Sequence, residues 1–320
     1  MRIARTLVRA LLIGTVSVGV VLPAAVASAA PSPADLQRQI DDASNNLEKI
    51  VEQYNRVTEE LKATTAAQAA LTTQLAPLQA GMDAAYSAVQ DIAVKAFEGA
   101  PLSTGAALLQ AGSPMDLLDQ LGALDQIGRQ RRTEIAGYEQ AKSKYDGQKK
   151  QLDATQAAQT AQQQQLDAQK TKINSDLQAL YALRTQAYGR PTDPPTRSNA
   201  TPPAVAGSAG VAVRYAYSAL GVPYVWAGET MGGFDCSGLT KAAWGAAGRS
   251  LPHNAAMQWS AVAHIGRGDL RPGDLVFYNG LGHVGIFVGG NQIIHAPHAG
   301  TVVQLASVDI MPPYGFGRVR

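Results

Sequence analysis

The sequence predicts an α+β chain in two parts: a long antiparallel α-helical coiled coil, then a compact domain of short helices and meandering strands. Three observations carry this expectation. An apolar 4-3 repeat runs without a slip from Leu36 to Ala96. Pro191, Pro194, Pro195, Pro202 and Pro203 then crowd a stretch rich in Gly, Ser, Thr and Asn. Beyond residue 208 the periodicity gives way to short, Gly-punctuated, strand-like runs.

The N-terminus comes first. Arg2, Arg5 and Arg9 precede an apolar run from Leu11 to Leu22, and Ala27-Ser28-Ala29 offers a small-x-small cleavage site. This is the pattern of a secretory signal peptide over residues 1–29, and the run is short for a membrane span of about 20 residues. The chain is therefore expected to be exported. Of its 320 residues 16% are charged and the net charge is +2, with no basic stripe of the kind nucleic-acid binders carry. A single cysteine, Cys236, rules out an intramolecular disulfide. A lone thiol in an oxidising compartment is a liability unless it is buried or used.

Residues 30–188 form the expected coiled coil. The seam of the first helix includes Leu36, Ile40, Leu47, Ile50, Tyr54, Val57, Leu61, Leu71, Leu75, Leu78 and Ile92; Pro77 should kink it or mark a break. The return helix repeats at Tyr138, Tyr145, Leu152, Gln159, Leu166, Ile173 and Leu180, with Lys142, Lys149, Gln156, Gln163 and Lys170 as the complementary row. That second seam is polar. Weak packing of this kind suits an arm that changes partners, and equally a solvated stalk. Between the helices, near 97–128, a tip insertion is expected. Ser113-Pro114-Met115-Asp116 reads as a helix start, and Leu117, Leu118, Leu121, Leu124 and Ile127 line a short helix that is either a docking site or a small core. Residues 189–207 read as a semi-extended linker.

In the domain over 208–320, Val211 to Leu220 reads as a helix ended by Gly221. Strand-like runs follow at 274–278, 283–288 and 292–295, with turns at Asn279-Gly280 and Gly289-Gly290-Asn291. Cys236 lies in Gly233-Phe234-Asp235-Cys236-Ser237-Gly238-Leu239, ahead of an apolar stretch that reads as a buried helix. A thiol at a helix N-terminus is stabilised as thiolate, below its ordinary pKa of about 8.5. His283 opens one strand and His295 ends the next, so adjacent antiparallel strands would bring both imidazoles to one face. That is a Cys–His–His relay; an inert buried thiol and two structural histidines are the plainer alternative. His264 and His298 read as surface groups. Spacing along the chain offers no metal site and no cofactor motif.

Taken in order, Gly221-Val222-Pro223-Tyr224-Val225-Trp226-Ala227-Gly228, Phe234 to Leu239, Leu251-Pro252-His253, Leu270 to Tyr278 and His283 to Gly289 resemble the NlpC/P60 family of cell-wall cysteine peptidases. The resemblance covers nearly all of 208–320. It implies a papain-like fold and cleavage of peptidoglycan stem peptides between D-γ-glutamate and a diamino acid, often meso-diaminopimelate. It places the catalytic positions on Cys236, His283 and His295, and the substrate-binding positions on Tyr224, Asp235 and Ser237. Ala227 stands where the family has the first of two glycines, and His253 where it often has arginine. An exported coiled-coil arm ahead of such a domain is similar to division-associated endopeptidases, which implies a membrane division complex of the FtsEX type as partner and an arm that restrains the enzyme. The competing class is a non-catalytic, wall-binding coiled-coil adaptor that recruits or regulates other hydrolases.

Overall fold

The computed structural model describes residues 31–98, 113–194 and 200–320. The expected signal peptide, most of the tip insertion ahead of Ser113 and part of the linker fall outside these ranges. No helix among the described residues is long and apolar enough to cross a membrane.

Two long helices come first, α1 over Pro33–Phe97 and α2 over Pro114–Tyr188. α1 starts on a capping box: Ser32 Oγ accepts from the Asp35 N–H, and the Asp35 carboxylate accepts from the Ser32 N–H. Pro33 adds a fixed φ where its missing N–H costs nothing. Ser113 caps α2 in the same way, accepting from the Asp116 N–H at 3.1 Å. Tyr188 bonds Gln37, Gln159 bonds Thr65 at 3.3 Å and Gln148 bonds Gln74 at 2.9 Å, so the helices run antiparallel along each other.

Three details differ from expectation. α1 passes through Pro77 without a break, because the partner helix supports it on both sides of the lost hydrogen bond. The short tip helix is not separate; from Pro114 the chain stays helical to Tyr188. The complementary row of α2 is also displaced by one residue. Ala141, Gln148, Thr155, Gln162 and Gln169 are the half-buried positions, while Lys142 and Lys149 point outward and pair with Asp146 and Asp153 four residues on. The seam is nonetheless polar, and Gln162 and Gln169 each bury a side-chain oxygen without a hydrogen-bond partner.

The C-terminal domain begins with α3, Gly207–Ser218, and a small hairpin of β1, Glu229–Thr230, and β2, Gly233–Phe234. Helices α4, Cys236–Ala246, and α5, Ala255–Ala261, follow. The sheet then builds from β3 (Ala263–Ile265), β4 (Leu275–Tyr278), β5 (His283–Gly289), β6 (Gln292–His295), β7 (Gln304–Ser307) and β8 (Pro313–Arg318). Its order is β3-β8-β4-β5-β6-β7, antiparallel throughout. Asn279, Gly280 and Leu281 at one turn, and Gly289, Gly290 and Asn291 at the next, all take positive φ, which fixes the register of β4, β5 and β6.

The strands alternate. Leu275, Phe277, Val284, Ile286 and Ile294 share one core with Ala212, Val213 and Ala216 of α3 and Leu239 and Ala243 of α4, while Val276, Tyr278, Phe287 and Ile293 form a second core on the other face. The first core does not stop at the domain. Ile40, Leu47 and Val51 of α1 and Ile173, Leu177 and Leu180 of α2 belong to it. Burying each such side chain contributes roughly 1.5–3 kcal/mol, so the root of the arm is packed onto the domain. The first linker residues are also fastened: Arg184 of α2 donates to the Pro191 and Gly300 carbonyls and pairs with Asp193, whose own N–H donates to Gly300 O at 2.7 Å.

Candidate active site

Cys236 is the first residue of α4. Asp235 caps that helix, its Oδ1 accepting from the Gly238 N–H at 2.7 Å. Gly238 is needed for close approach: a Cβ there would sit 2.0 Å from the Gly228 carbonyl oxygen. The tight β1–β2 turn and α4 are thereby locked together, which holds the thiol in place. His283 opens β5 and His295 closes β6, and the antiparallel pairing brings their rings together, with Nε2 of His283 2.9 Å from Nδ1 of His295. A ring nitrogen of His283 and the Cys236 Sγ lie within 4.8 Å of each other. The three expected residues therefore converge.

The substrate-binding candidates gather around them. Tyr224 and Asp235 are buried beside the thiol, and Ser237 follows it in the first turn of α4. His253, which stands where the resembled family often has arginine, bridges two carboxylates, Asp235 at 2.8 Å through Nε2 and Glu229 at 3.1 Å through Nδ1. Burial draws its pKa down, but Asp235, Glu52 and Glu229 outweigh that and raise it overall. His264 is exposed and stacks on Trp259 at 3.7 Å. His298 is half-buried rather than a surface group, with Nδ1 on the Ala299 carbonyl.

The cleft is not open. α1 crosses it and lays Glu48, Glu52 and Asn55 into it, one helical stripe of polar residues that are each at least nine-tenths buried. Glu48 Oε1 meets His283 Nδ1 at 2.5 Å. Glu52 Oε1 accepts from the Ser237 hydroxyl at 2.6 Å and touches Cys236 Sγ at 3.5 Å. Glu52 Oε2 accepts from the Ala255 N–H at 2.6 Å and from Asn254 Nδ2 at 2.8 Å. Asn55 Nδ2 donates to Asp235 Oδ2 at 2.9 Å, and Tyr54 packs edge-on against Trp226 with ring centroids 5.3 Å apart. Neither Glu48 nor Glu52 was a candidate in the sequence. Their only sequence signal is the polar row Ser44, Glu48, Glu52, Asn55 beside the apolar seam, which looks like an ordinary solvated face.

The electrostatics follow from this plug. Burial, then Glu52, Glu48 and Asp235, push the Cys236 thiol well above its ordinary range. The expected helix-start lowering is thus reversed in this state, because the sulfur is buried and three carboxylates face it. Burial and then the neighbouring His283 hold His295 neutral. Burial, then repulsion from Asp235, raises Glu52 to about 7. An undocked, exposed glutamate titrates near 4.5. Docking is therefore fully supported below about pH 4.5 and loses this support as pH rises through about 7, by about three-hundredfold at most. The measurement is the alkylation rate of Cys236 in the wild-type chain relative to Glu52→Gln. That ratio is expected to climb between about pH 5 and pH 7 and then level off; a ratio independent of pH would show that Glu52 does not titrate in the docked arm.

A nucleophilic thiol at a helix start, an imidazole beside it and a second imidazole orienting the first define a cysteine peptidase. Residues 221–313 match the NlpC/P60 family model, and the C-terminal domain of this chain belongs to that family. The protein named probable endopeptidase Rv2190c of Mycobacterium tuberculosis is 28% identical over 361 aligned positions, spanning 93% of this chain and 92% of the relative, so the likeness includes the helical arm. Probable endopeptidase Cgl2188 of Corynebacterium glutamicum is 38% identical over 127 residues, 39% of this chain and 59% of its own length. Among solved structures, the NlpC/p60 domain of the peptidoglycan hydrolase SagA is similar at 36% identity over 35% of this chain and 98% of that one, with a TM-score of 0.33.

Proposed function

We propose that the chain is an exported peptidoglycan D,L-endopeptidase that cuts between D-γ-glutamate and a diamino acid, meso-diaminopimelate for preference, and that α1 keeps it closed. The observation that carries this is the seat of Glu52. Ser237, Asn254 and the Ala255 N–H hold a carboxylate directly beside Sγ. A glutamate joined through its γ-carbonyl leaves its α-carboxylate free close to the scissile bond, which is the group such a seat accepts. The arm's glutamate thus competes for the place of an acidic substrate.

With α1 withdrawn, Nδ1 of His283 is released from Glu48 and takes the thiol proton. Sγ attacks the γ-carbonyl, and N–H groups at the start of α4 face the developing oxyanion. His283 then protonates the departing amine, and water hydrolyses the thioester. His295 orients His283 through the 2.9 Å contact. Tyr224 and Asp235 shape the cleft wall, and His253 replaces an arginine as its cation. Opening calls for force at a distance. Phe97, Met115, Leu118 and Leu121 leave apolar side chains exposed at the far end of the arm, about 70 Å from Glu52 at 1.5 Å per residue. A membrane division complex of the FtsEX type would act there, in cell-wall remodelling or daughter-cell separation.

The test is digestion of purified sacculi by an arm-released variant, with products identified by mass. Fragments ending in D-glutamate are expected. Wall that is bound but uncut would favour the adaptor reading.

A further inference from the structure

We propose that Glu48, Cys236 and His283 form a site for a thiophilic divalent cation of the Zn²⁺ class, which staples α1 to the catalytic domain and locks the closed state. The inference rests on the docked position of the arm. Spacing along the chain offered no metal site, because the ligands come from three distant segments: the middle of a helix, the start of α4 and the start of β5. The fold brings a carboxylate oxygen, the Sγ and a ring nitrogen within 4.8 Å of one another, all buried.

The donor set is one that zinc prefers. A thiolate, an imidazole and a carboxylate bind at about 2.3, 2.0 and 2.0–2.2 Å in tetrahedral sites. Glu48, Cys236 and His283 supply three ligands, and the fourth position would fall to an exogenous ligand such as water. Tetrahedral ligands stand roughly 3.3–3.6 Å apart at those bond lengths. The Glu48–His283 pair at 2.5 Å must therefore open by under about 1 Å, a shift that side-chain rotation of Glu48 supplies. The second shell is also present. With the cation on Nδ1 of His283, the Nε2–H donates to Nδ1 of His295, so the ring that orients the base would also orient the ligand.

Charge argues in the same direction. Glu48, Glu52 and Asp235 converge on one buried sulfur, with His253 as the cation bridging Asp235 on the far side. A divalent cation supplies the missing positive charge. On binding, the thiol proton and any proton on Nδ1 of His283 leave to solvent, and the metal takes their place; no bond is oxidised or reduced. Affinity should accordingly rise with pH. Because two of the ligands are the thiol and the imidazole of the peptidase site itself, the cation would block chemistry and hold the arm by one set of bonds.

Co²⁺ is the probe, added to the full chain in place of Zn²⁺. The wild type is expected to show a thiolate-to-cobalt charge-transfer band with intense tetrahedral d–d absorption, both displaced by one equivalent of Zn²⁺. Glu48→Gln keeps the shape and an oxygen but loses the charge, and should weaken binding by at least about tenfold. Circular dichroism of both proteins checks that they are equally folded. No charge-transfer band in the wild type, or equal affinity in Glu48→Gln, overturns the inference, since the cation then ignores the arm. The endopeptidase reading is judged separately, on sacculus products formed in chelator.

Discussion

Replacing Glu48 and Glu52 together by alanine is expected to raise the peptidoglycan-cutting rate of the full chain about a hundredfold or more, up to the ceiling of a permanently open enzyme. The two carboxylates take hydrogen bonds from His283, Ser237, Asn254 and the Ala255 N–H. Hydrogen bonds to charged groups contribute about 1.5–3 kcal/mol net, and water recovers part of this when the arm leaves. A shift of about 3–5 kcal/mol in the opening equilibrium remains, which corresponds to a factor of roughly 10²–10³ or more. Alanine would also strand those donors in the docked state alone, so the penalty falls on closing and not on the open domain. Ile40, Leu47 and Val51 stay apolar in this variant, and the arm keeps its root. Two readouts check the result: release of soluble muropeptides and the rate of Cys236 alkylation. If both stay at the wild-type level in a folded protein, α1 is a stalk that happens to lie over the cleft.

The single glutamates should separate the two contacts. Glu52 blocks the seat beside the sulfur, whereas Glu48 occupies the imidazole. Glu52→Ala would admit an acidic peptide yet leave His283 engaged. Glu48→Ala would free the base but leave the seat filled. Because the two act on one docking equilibrium, their effects should not simply add.

Much of this arrangement was legible in the sequence. The seam of α1 at Leu61, Thr64, Gln68, Leu71, Leu75, Leu78, Met82, Ala85, Val89 and Ile92 falls on half-buried positions, since a strict heptad leaves one stripe facing a partner helix. The thiol at a helix start and the two histidines on adjacent strands were readable from local signals: the Gly-punctuated turns, the strand-like apolar runs and the apolar stretch after Cys236. The second helix was harder. Its repeat is so rich in Gln, Lys and Ala that neighbouring registers score alike, and the row that packs was placed one residue late. Pro77 does not end α1, which runs on to Phe97 along its partner helix.

The plug itself was not legible for a different reason. Ser44, Glu48, Glu52 and Asn55 lie on a face that any two-helix arm would leave in water, and composition alone cannot distinguish a solvated stripe from one that docks. The return of the chain brings that stripe over Cys236, with the root of the arm packed into the domain core and Arg184 fastened to Gly300. A long-range contact between residues so far apart in sequence has no periodic signature. The polar second seam suits a solvated stalk as well as an arm that changes partners, and it held nothing about which residues would meet the cleft.

In the arm-released background, Cys236→Ala and His283→Ala are each expected to abolish cutting, by about 10⁴-fold or more. The background matters because the closed wild type, with little of the chain open, cuts too slowly for a further loss of that size to be read. Cys236 supplies the only thiol in the chain, and alanine at the head of α4 leaves no atom to form the thioester. His283 must both take the thiol proton and return it to the amine. Its removal therefore costs the activated nucleophile and the general acid together. Combining the two substitutions should lose little more than either alone, because they act as one unit. His295→Ala should fall between these and the parent, by about 10–10³-fold, since it acts through His283 and leaves Nε2 of that ring without its buried partner. Its signature is a changed pH profile with substrate affinity unchanged, which a loss of general stability would not produce. Muropeptide release measured at saturating wall substrate checks all three, and a His283→Ala enzyme within tenfold of its parent would remove that residue from the role of base.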